Sequence, residues 1–218
     1  PTPPTIFFQA YAGKRDSSRS RGLGDVFKRQ ANNSAVGYGA LSGNTTGSEN
    51  TALGLQALQN NTTAAHNTAV GYRALKANTT GTNNVAVGTN ALLDATTASQ
   101  NIALGNNAGE NITSDKNVAI GHNALATATT GEHNTGVGDG VLANSSTSKN
   151  CAFGYHALVN QTTGSYNNAF GHNCMDATIT GTYNNAFGQN ALGALTGGTK
   201  NAAFGQDCLA NLTTGDYN

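Results

Sequence analysis

The sequence predicts an all-β fold, a parallel β-solenoid, and three observations predict it. First, an Asn-x-Ala-apolar-Gly motif returns eleven times, its glycine falling on Gly37, Gly54, Gly71, Gly88, Gly105, Gly121, Gly138, Gly154, Gly171, Gly188 and Gly205. Second, the step is seventeen residues, shortened to sixteen only before Gly121 and Gly154. That is about half of what helix-pair repeats need, and it suits one coil of a β-solenoid. Third, each copy is rich in Asn, Thr and Gly, which form helices poorly, and short extended runs between such turn clusters read as strands. Each coil is therefore expected to hold two strands and two turns.

The chain divides in two. Residues 1–30 hold all three prolines, 6 of the 11 Lys+Arg and 3 of the 7 Phe. Within them, SRGLGDVFKRQ (Ser20 to Gln30) and QAYAGKRD (Gln9 to Asp16) resemble translated sequencing-library adaptors. We read this segment as adaptor-derived or disordered and set it aside from the fold. Its basic cluster then carries no argument for nucleic acid. Residues 31–218 are the repeat array, read as truncated at both ends. They retain 5 Lys+Arg against 9 Asp+Glu, a mildly acidic balance. No apolar run is long enough to span a bilayer.

Within a copy, counting from its Asn as position 0, each element has a reason. Asn67 and Asn84 represent the invariant Asn, whose stacked amides are expected to bond from coil to coil. Position 2 is Ala in every copy but one (Ala69 is typical; Gly136 is the exception), and position 3 is always large and apolar, as in Val70. Strand side chains alternate, so positions 2 and 3 face opposite ways. The larger residue is expected inside, meeting the Leu of position 8. The Ala face is expected outside, where another backbone could approach. In the last four copies position 3 becomes Phe153, Phe170, Phe187 and Phe204, read as an aromatic stack in the core. Gly71 and Gly88 mark the bend out of the strand. Cys151, Cys174 and Cys208 read as small buried apolar residues. The last two stand two coils apart, beyond disulfide reach.

The Asn-x-Ala-apolar-Gly motif followed by Ala-Leu (Ala74-Leu75, Ala191-Leu192) resembles the head repeats of trimeric autotransporter adhesins, the YadA-like head. With its Asn-Thr-Thr-Gly turns it is also similar to arrays in phage tail-fibre proteins. The resemblance covers residues 31–218. It implies left-handed β-rolls from three chains around a common axis, outside the cell, on a virion tail fibre or a bacterial surface. Each coil offers only two large apolar side chains, and burial against partner chains would add to that. The expected function is a rigid fibre or head segment for presentation and adhesion. A host-surface glycan or protein is the expected receptor. Candidate contacts are Tyr38, Tyr72, Arg73, Tyr155 and His156 at positions 5 and 6, with Tyr166 and Tyr183 in the turns.

Chemistry fares poorly by comparison. The nine carboxylates of the array are scattered, and Asp139 and Asp207 share no position and lie four coils apart, unlike the facing pair of a glycosidase. His122 and His172 share a position but stand three coils apart, too far for one metal. The Gly-x-x-Ala-Leu runs are not phosphate loops, since no Lys-Ser/Thr follows. The expectation is no enzyme, no cofactor, no metal and no nucleic-acid partner. A solid-surface or ice-binding solenoid is the alternative function, although its Thr pairs sit in turns and their columns are irregular.

Overall fold

The structure, a computed structural model, describes residues 32–218 except residue 129. The adaptor-like reading of residues 1–30 lies outside the described residues. Eleven three-residue strands follow one another: β1 Ser34–Val36, β2 Thr51–Leu53, β3 Thr68–Val70, β4 Val85–Val87, β5 Ile102–Leu104, β6 Val118–Ile120, β7 Thr135–Val137, β8 Cys151–Phe153, β9 Asn168–Phe170, β10 Asn185–Phe187 and β11 Ala202–Phe204. They form one parallel sheet in sequence order, with like positions paired throughout, as in Ala52 against Ala69 and Phe170 against Phe187. This is a β-solenoid, and no helix occurs among the described residues.

Each coil holds one strand, not the two expected. The Ala-Leu segment runs through turns instead, with positive φ at position 6 (Arg73, 56°; Asn90, 56°) and position 8 (Leu75, 50°; Leu92, 51°). Such residues reorient the next peptide, so its polar groups still point along the rod. Gln56 N–H donates to Tyr38 O of the coil before, and Leu58 N–H to Ala74 O of the coil after. Hydrogen bonds between coils thus run round the whole circumference, which is how three-residue strands suffice.

The two strand faces are the reverse of the sequence expectation. The central residue of each strand, Ala in all but β7, is buried, while its neighbours at positions 1 and 3 are half-buried or exposed. Val36 is 40% exposed, Leu53 47% and Phe204 68%. Behind the strand there is room for one large side chain per layer, and a second is buried only towards the Thr-Thr turn, as Leu195 is with Leu192 and Ile179 with Met175. The place behind the strand goes to position 8 (Leu41, Leu58, Leu75, Leu92), each fully buried and contributing roughly 1.5–3 kcal/mol. Ala at positions 2 and 7 lines the remaining wall. Two exceptions in the repeat show how tight this interior is. Where Gly109 replaces Leu, the Ile112 side chain occupies the space a Cβ would enter. Where Gly136 replaces Ala, Val141 replaces the Ala of position 7, and a Cβ at Gly136 would run into the side chains of Leu125 and Val141. Volume moves between positions and the layer stays filled.

The invariant Asn is buried and bonds mainly to backbone, not amide to amide. Asn84 Nδ2 donates to Ala98 O at 2.7 Å, closing its own coil, and Asn84 Oδ1 accepts the backbone N–H of Asn101 at 2.9 Å. Direct amide links join only some coils, as in Asn184 to Asn167 at 3.1 Å and Asn201 to Asn184 at 3.1 Å. A second Asn ladder, at position 11, faces inward through Asn44, Asn61 and Asn78. It stops at Ala95, which offers no side-chain donor, and Asn78 Oδ1 is left unbonded. Past that point the column carries mostly apolar residues, including Ile112, Leu195 and Leu212.

The sixteen-residue coils locate their own deletion. The Asn amide reaches a carbonyl fourteen residues on in seven of the ordinary coils, as in Asn84 to Ala98, but thirteen on in the two short ones (Asn101 to Ser114, Asn134 to Thr147). The lost residue therefore belongs to the Thr-Thr turn, and strand register is untouched.

Candidate interaction surface

Turning position 3 outward puts an apolar stripe on the surface of the rod. Its two columns are position 1, from Ser34 to Ala202, and position 3, from Val36 to Phe204. Neither contains a charged residue. At about 4.8 Å per coil the stripe is about 50 Å long. The stacked Phe belong to it and not to a core. Ring centroids are 4.9 Å apart for Phe153–Phe170, 4.7 Å for Phe170–Phe187 and 5.0 Å for Phe187–Phe204, with planes within 8°. The stacking expected from the sequence is present, on the opposite side of the strand.

The position-1 column changes with them. Over β4 to β6 it carries Val85, Ile102 and Val118 beside aliphatic position-3 residues. Over β8 to β11 it carries Cys151, Asn168, Asn185 and Ala202 beside Phe. A level aliphatic surface thus gives way to an aromatic ridge flanked by a row of small residues. Asn168 Nδ2 donates to Asn185 Oδ1 at 2.8 Å within that row.

The candidate contacts read from the sequence lie on other faces. Tyr38, Tyr72 and Tyr155 are exposed at position 5, and Arg73 and His156 are half-buried at position 6. The Arg73 guanidinium lies over the Tyr72 ring, and Tyr155 stacks on His156 and His172. Tyr166 and Tyr183 stack at 4.9 Å in a separate column just before the invariant Asn. Lys149 donates to the Tyr166 hydroxyl and Lys200 to that of Tyr217, each at 2.8 Å, and these bonds raise both ammonium pKa values. The two groups of residues are not brought together into one site.

Two histidines pair with carboxylates of an adjacent coil. His66 Nδ1 lies 2.8 Å from Glu49 Oε2, and His122 Nδ1 3.0 Å from Asp139 Oδ1. Among the described residues no group of three or more His, Cys, Asp or Glu could hold a metal ion. The three cysteines are free, but only Cys174 is buried, its thiol pushed up to about 11 by desolvation. Cys151 and Cys208 are half-buried, contrary to the sequence reading. No protein family, curated protein or solved structure matches the chain.

What sequence reasoning missed is the stripe itself. Its signal was present in the pairing of large position-3 residues with apolar or small position-1 residues, two columns that must share a face.

Proposed function

We propose that the array is a rigid segment of an extracellular fibre or head, assembled as a homotrimer, which presents its surface for adhesion without catalysis. The observation that carries this reading is the uncharged strip along the whole rod, large and apolar throughout at position 3 and a mix of apolar and small polar residues at position 1. Contiguous exposed apolar patches beyond a few hundred Å² mark interaction sites. A strip about 50 Å long and roughly 10 Å wide is ~500 Å² per chain. Two such faces together reach ~1,000 Å², the lower bound of a specific interface. The partner-facing side is therefore the position 1 and 3 face, instead of the Ala face expected from the sequence. The Ala face is consumed inside the coil.

Adhesion in this reading is multivalent. Three copies of weak contacts on the outward columns, among them Tyr72, Arg73, Tyr155 and His156, bind a surface glycan or protein with avidity. A phage tail fibre and a bacterial surface adhesin are both served by that arrangement. Sedimentation equilibrium on the chain tests the assembly, with a homotrimer at micromolar concentration as the expected result. A monomer across that range would overturn the reading.

The ice- or solid-surface alternative loses support from the Thr columns. Thr45, Thr62 and Thr79 each donate their hydroxyl to the backbone of the next coil, at 2.8, 2.9 and 3.0 Å. Hydroxyls bonded this way are committed to the rod. Thermal hysteresis is expected to be absent, and measurable hysteresis would restore the alternative.

A further inference from the structure

We infer that Asn168 and Asn185 are register-determining residues, which hold copies of this chain parallel and level with one another along the apolar stripe. The inference rests on the self-association proposed above and names what makes it specific. A surface that repeats every ~4.8 Å has a built-in ambiguity: a copy slipped by one coil meets almost the same side chains. Over β4 to β6, where Val85, Ile102 and Val118 stand beside Val87, Leu104 and Ile120, nothing distinguishes one coil from the next.

Two features of β8 to β11 remove the ambiguity. The Phe ridge (Phe153, Phe170, Phe187, Phe204) runs beside a row of small residues. Level, parallel copies around a common axis bring their small rows together at the axis and set the ridge of each chain beside the small row of its neighbour. A copy slipped by two coils sets Phe153 against the bulkier Val118, while a one-coil slip, which sets it against Thr135, is opposed by the amides alone. Asn168 and Asn185 are the only amides in either column of the stripe, set among Phe170, Phe187 and Cys151. Their mutual bond uses one N–H of Asn168 Nδ2 and one lone pair of Asn185 Oδ1, so each amide keeps at least one donor and one acceptor for neighbouring chains. When copies are level around a common axis, Asn168 meets Asn168 and Asn185 meets Asn185, and each amide donates to one copy and accepts from another. When copies slip, at least one amide is buried against apolar side chains without a partner. A polar residue in an apolar helix interface fixes register and stoichiometry in the same way, at some cost in affinity.

The test uses the chain labelled with 4-fluorophenylalanine, read by fluorine NMR alongside sedimentation equilibrium. Level, symmetric copies give one resonance for each of the four stripe Phe, assigned by single Phe→Leu changes. The double variant Asn168→Val/Asn185→Val carries the aliphatic side chain of β4 and β6 at those positions. It is expected to associate at least as tightly as the parent, but with two or more resonances per stripe Phe and mixed stoichiometry. Asn168→Thr/Asn185→Thr, which copies Thr51 and Thr68, is expected to do likewise. One resonance per Phe and a single stoichiometry in both variants would overturn the inference while leaving self-association standing. Loss of assembly in both would also overturn it, since the pair would then supply affinity and not register. A monomeric parent would instead remove the self-association reading itself.

Discussion

At the scale of the residue, two invariant letters of the repeat have separable duties. Gly71 has φ of 134°, and a Cβ there would overlap the carbonyl oxygen of Gly88 in the next coil. Gly71→Ala is therefore expected to cost about 3 kcal/mol or more, read from denaturant unfolding. Asn84 acts by hydrogen bonding. Asn84→Ala strands two buried groups, the Ala98 carbonyl and the Asn101 N–H, and should cost roughly 2–4 kcal/mol in the same assay. Cys174 gives a simpler reading. Buried, with its thiol pushed up to about 11, it should resist iodoacetamide at pH 8 in the folded chain, while half-buried Cys208 is labelled first. Peptide mapping of the alkylated protein separates the two.

At the scale of the element, the coil tolerates length changes in one place only. The two natural sixteen-residue coils lose their residue from the Thr-Thr turn. Deleting Thr80 should accordingly cost less than about 1 kcal/mol. Deleting Ala69 should cost several kcal/mol, because it turns β3 over and sends Val70 into a slot sized for Ala. Thermal melts of the two deletions give the comparison directly. The coil also shows where sequence reasoning succeeds and where it stops. The period, the all-parallel pairing and the bend at each glycine were legible, because a repeat stacked on itself must pair like with like. The direction of the strand faces was not. Alternation says that Ala69 and Val70 point apart, but not which one points in. The usual rule of large residues inside failed because the Leu of position 8, here Leu75, already occupies the space behind the strand. The inward Asn44–Asn61–Asn78 ladder was likewise hidden among turn residues that looked exposed. Those three stand in Asn-Thr-Thr runs that read as turn residues, and they are buried in the fold.

At the scale of the whole molecule, folding and assembly should respond to different residues. Phe187 is 36% exposed on its own chain, so Phe187→Ser should cost the folded coil only the ring stacking, about 1 kcal/mol. The same change should weaken self-association at least tenfold, because the ring lies on the proposed contact. Sedimentation at several concentrations, set beside a melt of the dilute chain, measures the two effects apart. Leu75→Ala should behave oppositely, losing about 2–5 kcal/mol of folding stability by opening a cavity. The bonding of the invariant Asn also gives the rod an arrow. Every Asn side-chain oxygen receives its proton from the coil that follows it in the chain, as Asn33 does from Asn50 and Asn50 from Asn67. A chain leaving the ribosome N-terminus first would therefore lay each new coil onto a receptor already in place, growing vectorially like a tape printed onto its own last line.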